Sequence, residues 1–543
     1  MSAPQGGGVA RLGAALHAQG TPVVFGSPGS VALRIARGLE GTEARAVLLR
    51  DPYGATLAAV GYARATGRVG VCGSNRFEGA TRLVAGLADA HLDGVPVVAL
   101  VDRASAESGG RGEAVDVVSM SGGIVKRCID IEHASDLPRA LREAFAAARS
   151  GRPGPVLVEL PASFAVSPSD GPDAAELYAA LQLPDELPEG IEAARALLLA
   201  ARRPVVCTGA GVASPSDVAA LADFVETGGI PTVAVLKGLG TLPSNHEFFL
   251  GLAGEFGSRA AERALQGTDL LIVVGDCHDA RGGLGALRVP EDARMLRLGV
   301  AAVGSEGRDA DVRVTGDAAL ALRALTSGLD IAEWRSTCLF ERAVTGWRYD
   351  SPARGVYAPR LLKSLSEACE GPTFVACDAG SHQVWVAQHW RHQRPEQLLQ
   401  GTRSGASGFG LPAAIGAWLG RPDARVINVA GDGSFLANLH ELATLRYYDI
   451  PVKMLVLDDH GLGHRRPPWE DPAGEAGDPS ARWEGPDFVR LAACFGIPAM
   501  QASRATQESE VVARLLDAEG PFLAHVLIDR ADHAAPPPPP AGT

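Results

Sequence analysis

The chain runs to 543 residues, 46% hydrophobic and 21% charged, which is too long for one hydrophobic core and long enough for three domains of about 170 residues. Its formal net charge of -13 excludes a general nucleic-acid or anionic-membrane surface, because such partners require a concentrated excess of Lys and Arg. The eight cysteines form no C-x-x-C pair, no basic segment leads into an apolar stretch at the N-terminus, and no apolar run reaches the length of a membrane span, so a cytoplasmic protein with reduced thiols and no membrane partner is expected.

Taken in chain order, short β-rich apolar runs alternate with longer Ala-rich segments, the pattern of parallel sheets covered by helices. The first block holds runs at 22–25, 46–49, 69–72, 96–101 and 155–160, with a helical segment at 54–65, and fades into a Pro-, Asp- and Gly-rich stretch at 167–190. The second opens at 203–207, continues at 230–236 and 269–274 and ends near 317. A polar, helical connector at 331–354 leads to the third, with strands expected at 373–377, 425–429, 452–457 and 521–528 and helices at 411–419 and 438–447. The expected fold class is α/β, three doubly wound parallel-sheet domains at 1–170, 188–328 and 355–533, followed by a Pro-rich tail at 534–543 that reads as a stiff, solvated extension. Blocks one and three share one strand–helix grammar.

The chemistry concentrates in the third block. Its strand at 425–429 runs into Gly431-Asp432-Gly433-Ser434, and after 23 residues the next strand ends in Asp458-Asp459-His460-Gly461. That spacing accommodates one crossover helix, so both acidic endings emerge at the carboxyl edge of a parallel sheet, where open α/β sheets bind ligands. A hard cation such as Mg²⁺ takes oxygen ligands, a few from protein and the rest from phosphate or water. Asp432, Asp459 and a nearby carbonyl can supply them, while glycines beside Asp432 leave room for a diphosphate. A lone Gly-Asp-Gly is more often a plain turn; the spacing and the flanking residues reverse that reading.

This stretch resembles the thiamine-diphosphate motif, which begins G-D-G and ends in paired asparagines. The surroundings resemble the acetolactate synthase large subunit more closely: Gly408-Phe409-Gly410-Leu411-Pro412-Ala413-Ala414-Ile415-Gly416, the string 378–388 reading DAGSHQVWVAQ, and Trp469-Glu470-Asp471. Similar strings extend over nearly the whole chain, among them Gly61-Tyr62-Ala63-Arg64, Gly86-Leu87-Ala88-Asp89-Ala90 and Arg152-Pro153-Gly154-Pro155. The resemblance implies pyrimidine-binding, central and diphosphate-binding domains, in that order. It also implies a cofactor held between two subunits, hence a homodimer or homotetramer, and a small-molecule 2-oxo acid as substrate. Carried over by position, Asp432, Asp459 and the Gly461 carbonyl would hold Mg²⁺. Gly380, Ser381, His382, Gly405, Ser407, Gly431, Gly433 and Ser434 would border thiamine diphosphate.

The departures are as informative as the matches. The family's glutamate that moves the activating proton aligns with Pro52 in Arg50-Asp51-Pro52-Tyr53, and proline carries no proton to exchange. Asp51 reads more readily as a helix cap before Pro52 than as a substitute base, and Tyr53 is a weaker relay because its hydroxyl ionises near ~10. Ser407 stands where a bulky apolar residue bends the cofactor, Asp458-Asp459 replaces the asparagine pair, and Glu113 aligns with an expected Gln. The substrate-side string S-G-P-G-A-T-N has become Arg76-Phe77-Glu78-Gly79-Ala80-Thr81-Arg82, and His464-Arg465-Arg466 precedes Trp469. Arg76, Arg82, Arg403, Arg465 and Arg466 suit a ligand more anionic than pyruvate, the alternative being solvated surface arginines. In the central block only Asp279 and Arg281 of a D-D-R string remain, which leaves FAD doubtful; Gly209-Ala210-Gly211 hints at a nucleotide turn but more often simply turns the chain.

The leading expectation is therefore a thiamine-diphosphate- and Mg²⁺-dependent decarboxylase or carboligase of specialised substrate. The alternatives are a non-catalytic paralogue that keeps the fold, and a cofactor-independent enzyme using Glu78, Glu113, His382 and His464.

Overall fold

The computed structural model describes residues 12–13, 16–17, 19–20, 22–28, 35, 39, 44–75, 78–102, 116–160, 189–254, 256–277, 287–299, 309–325, 329–350, 355–401, 405, 407–459 and 485–528. Eighteen strands among them form three six-stranded sheets in which the strands of every pair run parallel. The first comprises β1 (Val23–Gly26), β2 (Arg45–Leu48), β3 (Gly70–Ser74), β4 (Val97–Asp102), β5 (Arg127–Asp130) and β6 (Pro155–Leu160), in the order β2-β1-β3-β4-β6-β5. The second comprises β7 (Pro204–Thr208), β8 (Thr232–Ala234), β9 (Phe249–Leu252), β10 (Leu270–Val274), β11 (Arg294–Leu298) and β12 (Val312–Val314), ordered β12-β11-β10-β7-β8-β9. The third comprises β13 (Thr373–Cys377), β14 (Leu398–Gln400), β15 (Arg425–Gly431), β16 (Lys453–Asp458), β17 (Ala499–Ala502) and β18 (Phe522–Leu527), ordered β14-β13-β15-β16-β18-β17.

The first and third sheets thus repeat one winding, each reversing direction between its first and third strands. The second reverses between β7 and β10. In open parallel sheets the carboxyl edge at such a reversal is where ligands bind. Strands such as Leu270–Val274, buried at every residue, read as continuous apolar runs because helices cover both faces. The polar connector forms a helix over Ala332–Val344.

Two helices decide how the first and third sheets meet: α1 (Pro52–Thr66) and, in the third domain, the helix that starts at Gly410. Between them in sequence lie α2 (Glu78–Asp93) and α3 (Ser381–His389); the Gly410–Gly420 helix is α4, and a short α5 spans Asp432–Leu436. Helices α1 and α4 cross so closely that a Cβ on Gly416 would overlap the Ala58 carbonyl, and one on Gly61 the Ala413 carbonyl. One apolar cluster runs through the crossing, from Leu57, Val60 and Tyr62 to Leu411, Ile415 and Phe435.

Gly416→Ala is expected to weaken the fold by about 2–3 kcal/mol, since backbone cannot yield to the added methyl. Gly122→Ala, where the nearest atoms lie 3.7 Å away, is the matched control. Denaturant midpoints of the two variants compare them, and equal midpoints would refute the close crossing.

Candidate functional site

The crevice of the third sheet opens where β13 and β15 diverge. Asp378, 1% exposed, follows β13 and accepts the Gly410 N–H at 2.8 Å. Burial pushes its carboxyl up to about 7; donors at Gly410, Gly408, Ser434 and Phe409 restrain the rise. This side chain therefore pins the turn into α4 against the end of β13. Gly408 completes that turn at φ 86, its carbonyl accepting from Asn438 Nδ2 at 2.7 Å. A Cβ there would lie 2.8 Å from the same nitrogen, so glycine is required twice over.

Gly380 and Ser381 begin α3, and His382 is buried in its first turn. A Cβ on Gly380 would overlap the imidazole, and one on Gly431 would sit 3.1 Å from His382 Nδ1. The two glycines thus make room for His382 between the strand ends. Ser434 caps its own short helix, accepting the Gly431 N–H at 3.1 Å and donating to the Gly431 carbonyl at 3.2 Å.

Asp432 opens α5 with 4% exposure. β15 and β16 run in register up to Gly431 opposite Leu457, so the residues that follow, Asp432 on one side and Asp458 and Asp459 on the other, end adjacent strands at one edge. Asp458 faces His525 of β18, Oδ2 to Nε2 at 2.8 Å, with both side chains buried. Asp459, the residue after the strand, is half-buried. Among the described residues no group of three or more His, Cys, Asp and Glu side chains stands together as a metal cage. Two carboxylates are instead a donor set that fits a hard cation whose other oxygens come from phosphate and water. Gly405 and Ser407 are exposed beside the turn into α4.

The first domain supplies a different surface. Asp51 is the N-cap of α1, accepting the Tyr53 N–H at 2.7 Å, with Pro52 in the first helical position. Its second oxygen meets Arg82 of α2 at 2.5 Å, so the arginine's charge is offset within the chain. Tyr53 donates to Asp89 at 3.0 Å. Burial, Asp89 and, more distantly, Asp378 push its hydroxyl far above the ordinary tyrosine range. The same carboxylate that pins the α4 turn is thus felt at the start of α1.

In the second sheet the Gly209-Ala210-Gly211 turn is closed: Ala210 and Asp276 exchange backbone hydrogen bonds at 2.8 and 2.7 Å. A Cβ on Gly209 would overlap the Asp276 carbonyl. Arg76, Phe77, Glu113, Asp279, Arg281, Arg403, Gly461, His464, Arg465, Arg466 and Trp469 lie outside the described residues, as does the side chain of Glu78. No described helix is long and apolar enough to cross a membrane. Asp378 and Asn438 were not among the expected site residues. Asp378 opens the DAGSH string, yet its role depends on a turn thirty-odd residues away in sequence, from Gly408 to Gly410.

Comparison with known proteins agrees with this geometry. Residues 8–120 match the thiamine pyrophosphate enzyme N-terminal TPP binding domain, residues 191–325 its central domain, and residues 378–526 its C-terminal TPP binding domain. The chain belongs to the thiamine pyrophosphate enzymes. Within them it is similar to acetolactate synthases: 37% identical over 533 residues to the isozyme 2 large subunit of Escherichia coli (strain K12), covering 97% of each chain. It is 34% identical over 555 residues to the chloroplastic enzyme of Arabidopsis thaliana, covering 97% of this chain and 82% of that one.

Replacing Asp378 with Ala would leave the buried Gly410 N–H without its acceptor, at a cost of about 1–3 kcal/mol. A thermal unfolding midpoint unchanged from wild type would contradict the pinning role.

Proposed function

We propose that the chain is a thiamine-diphosphate- and Mg²⁺-dependent decarboxylase or carboligase of a 2-oxo acid, acetolactate synthase-like but specialised, working as a homodimer or homotetramer. The observation that carries this reading is the placing of Asp432 and Asp459 at the ends of neighbouring parallel strands, beside the glycine-rich start of α3. Asp432 and Asp459 would hold the metal, with Gly461 by resemblance. The first turn of α3 and Ser434 would face the diphosphate, since helix starts present N–H groups to anions. The bound cofactor supplies carbanion stabilisation, which no protein side chain provides.

Across the site the chain orients rather than transfers protons. Pro52 has none to exchange, and the Tyr53 hydroxyl is committed to Asp89. With Arg82 paired to Asp51, reading of a substrate more anionic than pyruvate falls to Arg76, Arg403, Arg465 and Arg466. The closed Ala210–Asp276 bridge supports reading the Gly209-Ala210-Gly211 string as a plain turn, and FAD stays doubtful on the retained Asp279 and Arg281 alone.

Calorimetric titration with thiamine diphosphate is expected to show saturable binding that disappears without Mg²⁺; heat that does not depend on the metal would overturn the reading. Pro52→Glu keeps the Asp51 cap and adds an acidic residue where the helix dipole favours one. It is expected to speed exchange of the cofactor's C2 proton by roughly a hundredfold or more, the contribution of a positioned acid–base group. Pro52 also favours a second reading, a cofactor-binding paralogue without turnover. Tight binding with no exchange in wild type would select it.

A further inference from the structure

The turn that presents Pro52 is held from the far end of the chain. Glu441, which follows the Asp432 loop, is fully buried. Its carboxylate accepts the Arg50 N–H at 3.0 Å through Oε1 and 3.3 Å through Oε2, and Thr444 Oγ1 donates to Oε2 at 2.5 Å. A Cβ on Gly54 would lie 2.8 Å from Oε1, so the first turn of α1 rests directly on the carboxyl. Close by, the Tyr448 hydroxyl accepts the Leu48 N–H at 2.9 Å, and the Arg50 guanidinium lies 5.9 Å from the Tyr447 ring centre. The end of β2, the turn after it and the start of α1 thus lean on one segment, 441–448, of the third domain.

We propose that Glu441 is the positioning residue of the Pro52 turn: a single buried carboxyl of the third domain fixes where α1 begins, and so where the Asp51–Pro52–Tyr53 edge stands against a ligand. The inference rests on reading that edge as one side of the cofactor site.

The groups facing Glu441 are Arg50 and Asp51 from the turn and His440 from its own segment, Nε2 to Oε1 at 3.6 Å. Arg82 of α2 stands behind Asp51 and acts on His440 as well. Burial raises the Glu441 carboxyl to about 7; the Thr444 and Arg50 donors restrain it and Asp51 pushes it further. The direction of the pH effect follows from linkage. In the closed contact the carboxyl keeps its proton up to about 7, whereas a hydrated glutamate releases it near ~4.3. The preference for the closed contact is therefore complete below about pH 4 and is lost as pH rises through 7.

Hydrogen exchange of the full-length protein without ligand, read by mass spectrometry over residues 47–54 and corrected for intrinsic rates, tests this. Between pH 5.5 and 8 the wild type is expected to lose protection at least tenfold, and Glu441→Gln to stay flat. Gly54→Ala, which keeps every charged group and displaces the carboxyl, should begin at the loosened level already at pH 5.5. A purely structural role would shift protection equally at every pH. Wild-type protection that ignores pH, a Glu441→Gln profile like the wild type's, or a Gly54→Ala profile indistinguishable from it would each overturn the proposal. Because no ligand is present, that failure is separable from a failure of thiamine diphosphate to bind.

Discussion

The structure turns on the parallel register of β15 and β16. Because the strands pair up to Gly431 and Leu457, the chain has no choice but to release its acidic endings side by side at one edge. The neighbourhood is arranged around that fact. Asp458 is taken by His525, glycines at 380 and 431 clear a place for His382, and Asp378 ties down the turn into α4. Asp432 and Asp459 close the two neighbouring strands at that edge.

In the first domain the polar groups at the start of α1 are paired with one another. Pro52 stands between a capping aspartate and a tyrosine, and each neighbour is already engaged, Asp51 with Arg82 and Tyr53 with Asp89. An exposed arginine in such a pair adds little stability; its effect is to cancel the charge of the carboxylate next to Pro52. The turn nonetheless stays tightly placed, since Glu441 holds its backbone and α1 is locked against α4 by glycine contacts. The family's scaffold is therefore kept around a turn whose acidic and hydroxyl groups are engaged within the chain.

The fold was readable because fully buried parallel strands leave continuous apolar runs, as at 97–101 and 270–274. Some edge strands were not: Arg127–Asp130 exposes both ends and Leu398–Gln400 is three residues long, so neither leaves a run to notice. The helix expected at 438–447 begins as a 3-10 turn over Leu439–Glu441 before becoming α-helical at Leu442, the distortion that carries Glu441 inward. Local spacing pointed to Asp432 and Asp459. Asp378, Asn438 and Glu441 act on residues 30 to 391 positions away, and no local pattern encodes such partners.

The central claim is that Asp432 and Asp459 together hold a divalent ion bound to a diphosphate. Electron paramagnetic resonance of Mn²⁺ in the presence of thiamine diphosphate tests it most directly, since phosphorus coupling to the ion reports the shared ligand. One coupled Mn²⁺ per chain, lost in the Asp432→Asn, Asp459→Asn double variant, is the predicted result. Mn²⁺ bound without phosphorus coupling, or bound equally well by the double variant, would contradict it.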